Sequence, residues 1–170
     1  MKRALILLTF TVALLAQDKP PTATAACGSK DIQFDVKKDD SQHALTQPEP
    51  GKARVYFVQD FGQTQCFGHC GVTVRMGLNG AWVGANQDNS YFSVSVDPGE
   101  HHLCATPQAW NVKRLVGLAH FTAEAGKIYY FRTRLIGGQN QQLIDLTPID
   151  SDEAAFLITS YPLSVSHPKP

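Results

Sequence analysis

Charge is scarce in this chain of 170 residues: aspartate, glutamate, lysine and arginine together make up 18%, below the roughly 25% usual for soluble domains. Basic and acidic residues balance at 15 each, so the electrostatic footprint of a nucleic-acid binder is missing. That balance, beside 43% hydrophobic residues, also excludes a charge-rich disordered chain. Helical periodicity is sparse. After the first sixteen residues, no apolar run approaches the about 20 residues that a membrane-spanning helix needs. Enzyme signatures are missing too: there is no Gly-x-Ser-x-Gly elbow, no His-Glu-x-x-His pair and no glycine-rich phosphate loop. Length and hydrophobic content do provide for one packed core. A domain near 150 residues buries about 70% of its unfolded-chain surface without a metal or a partner.

Lys2 and Arg3 precede an apolar stretch from Ala4 to Ala16, broken only by Thr9 and Thr11. The stretch is too short to span a bilayer, and its flanks are those of a secretory signal peptide. Small residues at Ala23-Thr24-Ala25-Ala26 put cleavage after Ala26, with Ala16 as a competing position. A signal peptide over 1–26 predicts an exported protein: periplasmic, extracellular or envelope-associated. Losing Lys2, Arg3, Asp18 and Lys19 leaves the mature chain slightly acidic and still near neutrality.

Four cysteines follow: Cys27, Cys66, Cys70 and Cys104. An even number in an oxidising compartment favours disulfides, with three possible connectivities. Cys66 and Cys70 flank Phe67-Gly68-His69 and suit a local staple. Cys27 and Cys104 then form a long-range bridge that ties down the N-terminal segment. Two alternatives stand beside this pairing. Ala25-Ala26-Cys27 ends like a lipoprotein processing site, which would lipidate Cys27, although Thr24 stands where a large aliphatic residue is expected. Cys66, His69, Cys70, His101 and His102 are types that ligate zinc or copper. One Cys-x3-Cys is no matched pair of knuckles, however, and adjacent histidines on a strand point to opposite faces. The expectation is therefore no metal and no cofactor.

Strand signals dominate the remainder. Ile32, Phe34 and Val36 alternate with polar residues, as do Val72 to Leu78 and Phe92 to Val96, while Val55 and Phe57 mark a strand over 53–59. This period of two is that of a half-buried strand. Asn79-Gly80 is a hairpin turn, because both residues tolerate positive φ. Asp97-Pro98-Gly99-Glu100 supplies another turn, and Ala125-Gly126 reads as a hairpin between strands over 116–124 and 127–135. A strand around Cys104, one over 142–146 and an edge strand at Leu163 and Val165 complete the set. Asp150, with Glu153 three residues on, has capping-box spacing for one short helix near 151–158. The expected fold is all-β, an antiparallel β-sandwich of about eight or nine short strands with that C-terminal helix. Residues 27–51 form an N-terminal segment with one short strand and a linker, 52–166 the sandwich, and 167–170 a tail.

These residues carry a resemblance. Gly51 to Phe57, Leu78 to Gly84, Asn89 to Phe92, Val96 to Leu103 and Phe121 to Phe131 are similar to segments of bacterial proteins of domain of unknown function 2846. The resemblance covers roughly residues 51–147. It implies a small exported domain, often lipid-anchored or envelope-associated, with a transthyretin-like or related immunoglobulin-like sandwich, and it supplies no catalytic residues.

Function is accordingly expected to be non-enzymatic: binding or envelope interaction through loops at 60–71, 85–90 and 106–114. Trp82, Tyr91 and Trp110 are candidates for an aromatic platform that takes a peptide, a glycan or another envelope component. A structural role through free sheet edges is the alternative. A hydrolase would draw on His101, His102 or His120 with Asp97, Glu100 or Glu124, but any chain with 6 histidines offers such neighbours.

Overall fold

The computed structural model describes residues 26–41, 45–61, 71–108, 115–138 and 141–170. Its elements are β1 (Phe34–Asp39), β2 (Ala53–Gln59), β3 (Thr73–Leu78), β4 (Ala81–Gln87), β5 (Ser90–Val96), β6 (Gly99–Pro107), β7 (Gly117–Ala123), β8 (Ile128–Gly138), β9 (Gln141–Pro148), helix α1 (Ser151–Ser160) and β10 (Leu163–Pro168). They form an all-β sandwich of ten strands. A six-stranded sheet runs β1-β10-β5-β2-β8-β9, and a four-stranded sheet runs β4-β3-β6-β7. The four-stranded sheet is antiparallel throughout. In the six-stranded sheet, β2 pairs with β8 and β5 with β10 in parallel, where consecutive hairpins would give antiparallel pairs only.

Those parallel pairs arise because the chain changes sheets at its turns. Asn79 and Gly80 do make a hairpin, with φ of 48° and 83° between β3 and β4, the combination that matches strand twist. The other two turns do something else. β5 lies in the larger sheet and β6 in the smaller, so Asp97 to Gly99 is an arch between layers, with Gly99 at φ 135°. The expected hairpin at Ala125-Gly126 is likewise an arch, since β7 pairs with β6 and β8 with β2 and β9. Gly126 N–H donates to Lys52 O at 2.8 Å, which ties that arch to the entry of β2.

β2 is buried on both faces. Ala53, Val55 and Phe57 enter the inter-sheet core with Val74, Met76, Leu103 and Phe131. Tyr56 and Val58 face outward and are covered by Ala154, Leu157 and Ile158 of α1. The helix starts where its cap predicts: Asp150 accepts from Asp152 N at 3.0 Å and Glu153 N at 2.8 Å. The reciprocal half of the box is not made, because the Glu153 carboxylate pairs with Arg132 instead.

Two further corrections concern the ends. β10 extends through His167 and Pro168, residues expected in a frayed tail, because β1 offers a full antiparallel ladder from Phe34↔Pro168 to Asp39↔Leu163. Residues 26–32 are strapped across the outer face of the small sheet. Cys27 is bridged to Cys104, Gly80 N donates to Ala26 O at 3.2 Å, and Trp82 Nε1 donates to Ser29 O at 2.6 Å.

Candidate functional site

The sequence-predicted residues scatter. Trp82 is half-buried and engaged, its indole holding Ser29 and lying 4.4 Å under the Arg75 guanidinium. Arg75 also reaches the Lys30 and Ile32 carbonyls, and burial lowers its pKa. Tyr91 is only 2% exposed, packed beneath α1 beside Tyr56. Burial first, then neighbouring Tyr56 and Asp39, pushes its phenol up. These two rings therefore form no joint platform: one braces the N-terminal strap and the other is core. Trp110, Cys66, Cys70 and His69 lie outside the described residues, as do positions 62–70 and 109–114 of the proposed loops.

What is described of those loops is tied down. Residues 85 and 86 are buried strand positions, and Ser90 is fully buried. Gln108 exchanges two hydrogen bonds with the Phe34 backbone, at 2.7 and 2.9 Å, acting as a surrogate strand on the edge of β1. Asp60 accepts from Arg134 at 2.9 and 3.2 Å and from the Tyr161 hydroxyl at 2.9 Å. That burial and hydrogen bond raise the Tyr161 phenol to about 12.

Among the described residues, His101 is engaged in structural contacts. Asn79 Oδ1 accepts from His102 N at 2.9 Å, so its Nδ2 is the donor that faces His101 Nδ1 at 2.9 Å. His101 Nε2 then donates to Asp97 O at 2.7 Å, and the ring stacks on Phe121. Both ring nitrogens are thereby used in holding the Asp97 arch. His102 and His120 face each other across β6 and β7. Among the described residues, no three of His, Cys, Asp and Glu gather where they could hold a metal.

A different site emerges from the topology. β5 and β10 meet at a single residue pair, Tyr91↔Leu163, beside which Tyr91 N donates to Pro162 O at 3.1 Å. Beyond it they diverge, because β10 leans toward the other sheet: Ser166 Oγ accepts from Ala85 N at 3.1 Å. Gly84 permits this approach, since a Cβ there would lie 3.2 Å from Ser166 Oγ and 2.7 Å from Phe92 Cε2. A groove of ≈430 Å³ opens in the split. Its lining includes Val83, Phe92 and Val94 from the core and Ser93, Ser166 and Arg54 around them.

The β5 wall is an open strand edge. Backbone groups alternate in direction along a strand, so the N–H groups of Ser93 and Ser95 point the same way as that of Tyr91. Among the described residues, no ladder pair covers them. Their side chains face outward under Arg54, whose Nη1 and Nη2 donate to Ser93 Oγ at 3.1 Å and Ser95 Oγ at 3.4 Å. Arg54 is largely buried, with Glu49 at 3.7 Å, and among the described residues its Nε has no partner. A second depression of ≈300 Å³ is lined by aromatic residues including Phe121, Tyr129 and Tyr130, with Phe121 on β7, the edge strand of the smaller sheet.

Sequence reasoning missed Arg54, Ser93 and Ser95. The signal available was the Ser-Val-Ser-Val run from 93 to 96, a strand whose outward positions are small hydroxyls. Comparison of the chain with protein-family models, with curated proteins and with solved structures finds no match.

Proposed function

We propose that this protein is an exported, disulfide-stapled β-sandwich that acts by contact and not by turnover, with the split between β5 and β10 as its contact site. One observation carries the reading: a strand edge that no described strand pairs with, beside a groove that mixes core side chains with a largely buried arginine. A free strand edge offers backbone donors and acceptors at ladder spacing, which an extended ligand can pair with. Export is supported by the leader-like first 26 residues and by the Cys27–Cys104 bridge, a bond characteristic of oxidising compartments. No described helix is long and apolar enough to cross a membrane. A lipid-anchored form would use the same Cys27 sulfur, and Cys104 would then stand alone.

Hydrogen exchange of the mature protein, with and without a soluble extract of the producing cell's envelope, tests the contact site. Added protection is expected at residues 92–96 and 163–166. Protection elsewhere, or none, removes the groove from consideration.

An assembly role has one observation of its own. Ile136 and Leu143 face each other on the outer hairpin of the larger sheet, exposed at 48% and 63%. Concentration-dependent protection of β8 and β9, rather than of the groove, would favour that role.

A further inference from the structure

We infer that the groove takes an extended peptide segment bearing acidic side chains, which adds to β5 as a new strand between β5 and the diverging β10. The inference rests on the contact site proposed above and names its ligand class. Three features converge on it.

The hydrogen-bonding pattern is that of a strand edge. Ser93 and Ser95 present backbone groups at ladder spacing, and among the described residues the sheet has no strand to pair with them. An extended peptide supplies the complementary carbonyls and amides at the same spacing; a sugar or a lipid chain does not.

The inner wall is apolar. Val94 points into the sandwich yet stays half-exposed, and Val83 of the opposite sheet shows through the split. A strand laid beside β5 sends alternate side chains inward, where aliphatic residues would cover Val83, Val94 and Phe92.

The outer wall carries one cation, Arg54, opposite an exposed carboxylate, Glu49. Arg54 pairs in register with Ser95 and spans the hydroxyls of Ser93 and Ser95. The outward side chains of an added strand would stand next to that guanidinium. Glu49 already stands there, 61% exposed, 3.7 Å from Arg54 Nη2 and accepting from Ser95 Oγ at 2.7 Å, so the position takes a carboxylate and one on the added strand would replace it. The preferred segment therefore alternates aliphatic and acidic residues.

The probe is a fluorescent, capped hexapeptide of alternating valine and glutamate, titrated by anisotropy against the mature, oxidised protein at low salt. A version with lysine in place of glutamate should bind about tenfold more weakly, as expected for losing one charge-assisted contact. Arg54→Gln should abolish that preference while far-UV circular dichroism stays unchanged. Methylating one alternate set of peptide amides should abolish binding and methylating the other set should not, because only one set faces β5. Equal binding of the acidic and basic peptides, indifference to both methylation patterns, or no binding at millimolar peptide would each overturn the inference. If peptides fail while envelope extract still protects residues 92–96, the ligand class is wrong and the contact site stands. If both fail, the site itself is wrong.

Discussion

Removing the Cys27–Cys104 bridge separates two ways in which the N-terminal strap could hold the fold. The cysteines are 77 positions apart, and closing a loop of that length constrains the unfolded chain by about 4–5 kcal/mol in the chain-entropy model. The native strap has contacts of its own within the expected mature chain: Trp82 Nε1 to Ser29 O, and Arg75 to the Lys30 and Ile32 carbonyls. A Cys27→Ala/Cys104→Ala double variant keeps all of them and removes only the covalent link. The expected loss is therefore about 4 kcal/mol. At about 2–4 °C per kcal/mol for a domain of this size, the thermal midpoint falls by roughly 8–16 °C. Far-UV circular dichroism during urea and thermal unfolding measures it. Both proteins are handled without reductant so that Cys66 and Cys70 keep their state, and the urea slope should rise as the unfolded chain expands. Gly77→Ala is the companion test, because a Cβ there would sit 3.2 Å from the Cys27 Cα and 3.3 Å from the Cys104 Cβ. It crowds the strap where it crosses β3 while the covalent link remains. A loss under about 1 kcal/mol for the double variant, beside a larger loss for Gly77→Ala, would refute the chain-entropy reasoning and assign the stabilisation to contacts.

Two smaller perturbations follow from local geometry. Asp150→Ala removes the acceptor for Asp152 N and Glu153 N and should cost about 1 kcal/mol in urea unfolding; no loss would mean that burial alone positions α1. The folded Tyr161 phenol holds its proton up to about 12, against 10.0 ordinarily. The unfolded chain therefore carries fewer protons through that interval. The associated stability is complete below pH 10 and declines as pH rises toward about 12. An ultraviolet phenolate titration should show late-ionising tyrosines, Tyr91 and Tyr130 among them, and Tyr161→Phe should remove one of them; an unchanged titration would contradict the Asp60 contact.

Local chemistry was readable in the sequence wherever neighbours along the chain decide the outcome. Asn79-Gly80 tolerates the dihedrals that a tight hairpin demands, Asp150 reaches amides two and three residues on, and period-two alternation marks most strands. The choice of sheet was not readable. Asp97 to Gly99 and Ala125-Gly126 turn the chain as their residues predict, but nothing in a turn specifies which layer the next strand joins. That depends on partners far away, such as Lys52 for Gly126. The same distance hid the groove, which exists because β10 meets β5 at one pair and Ser166 is drawn to Ala85 across the sandwich. Tyr91 and Trp82 looked alike as strand aromatics. Only α1 folding back over Tyr91 and the strap crossing Trp82 separate their roles.

The ladder between β1 and β10 joins the outermost strands of the chain order, and among the described strands β10 is the only neighbour that β1 has. During synthesis, residues 34–39 must wait for 163–168 to emerge before their hydrogen bonds can close. The larger sheet consequently stays unfinished until residues 163–168 can fold back onto it. Deleting residues 163–170 would thus release two strands at once, the first and the last of the described order.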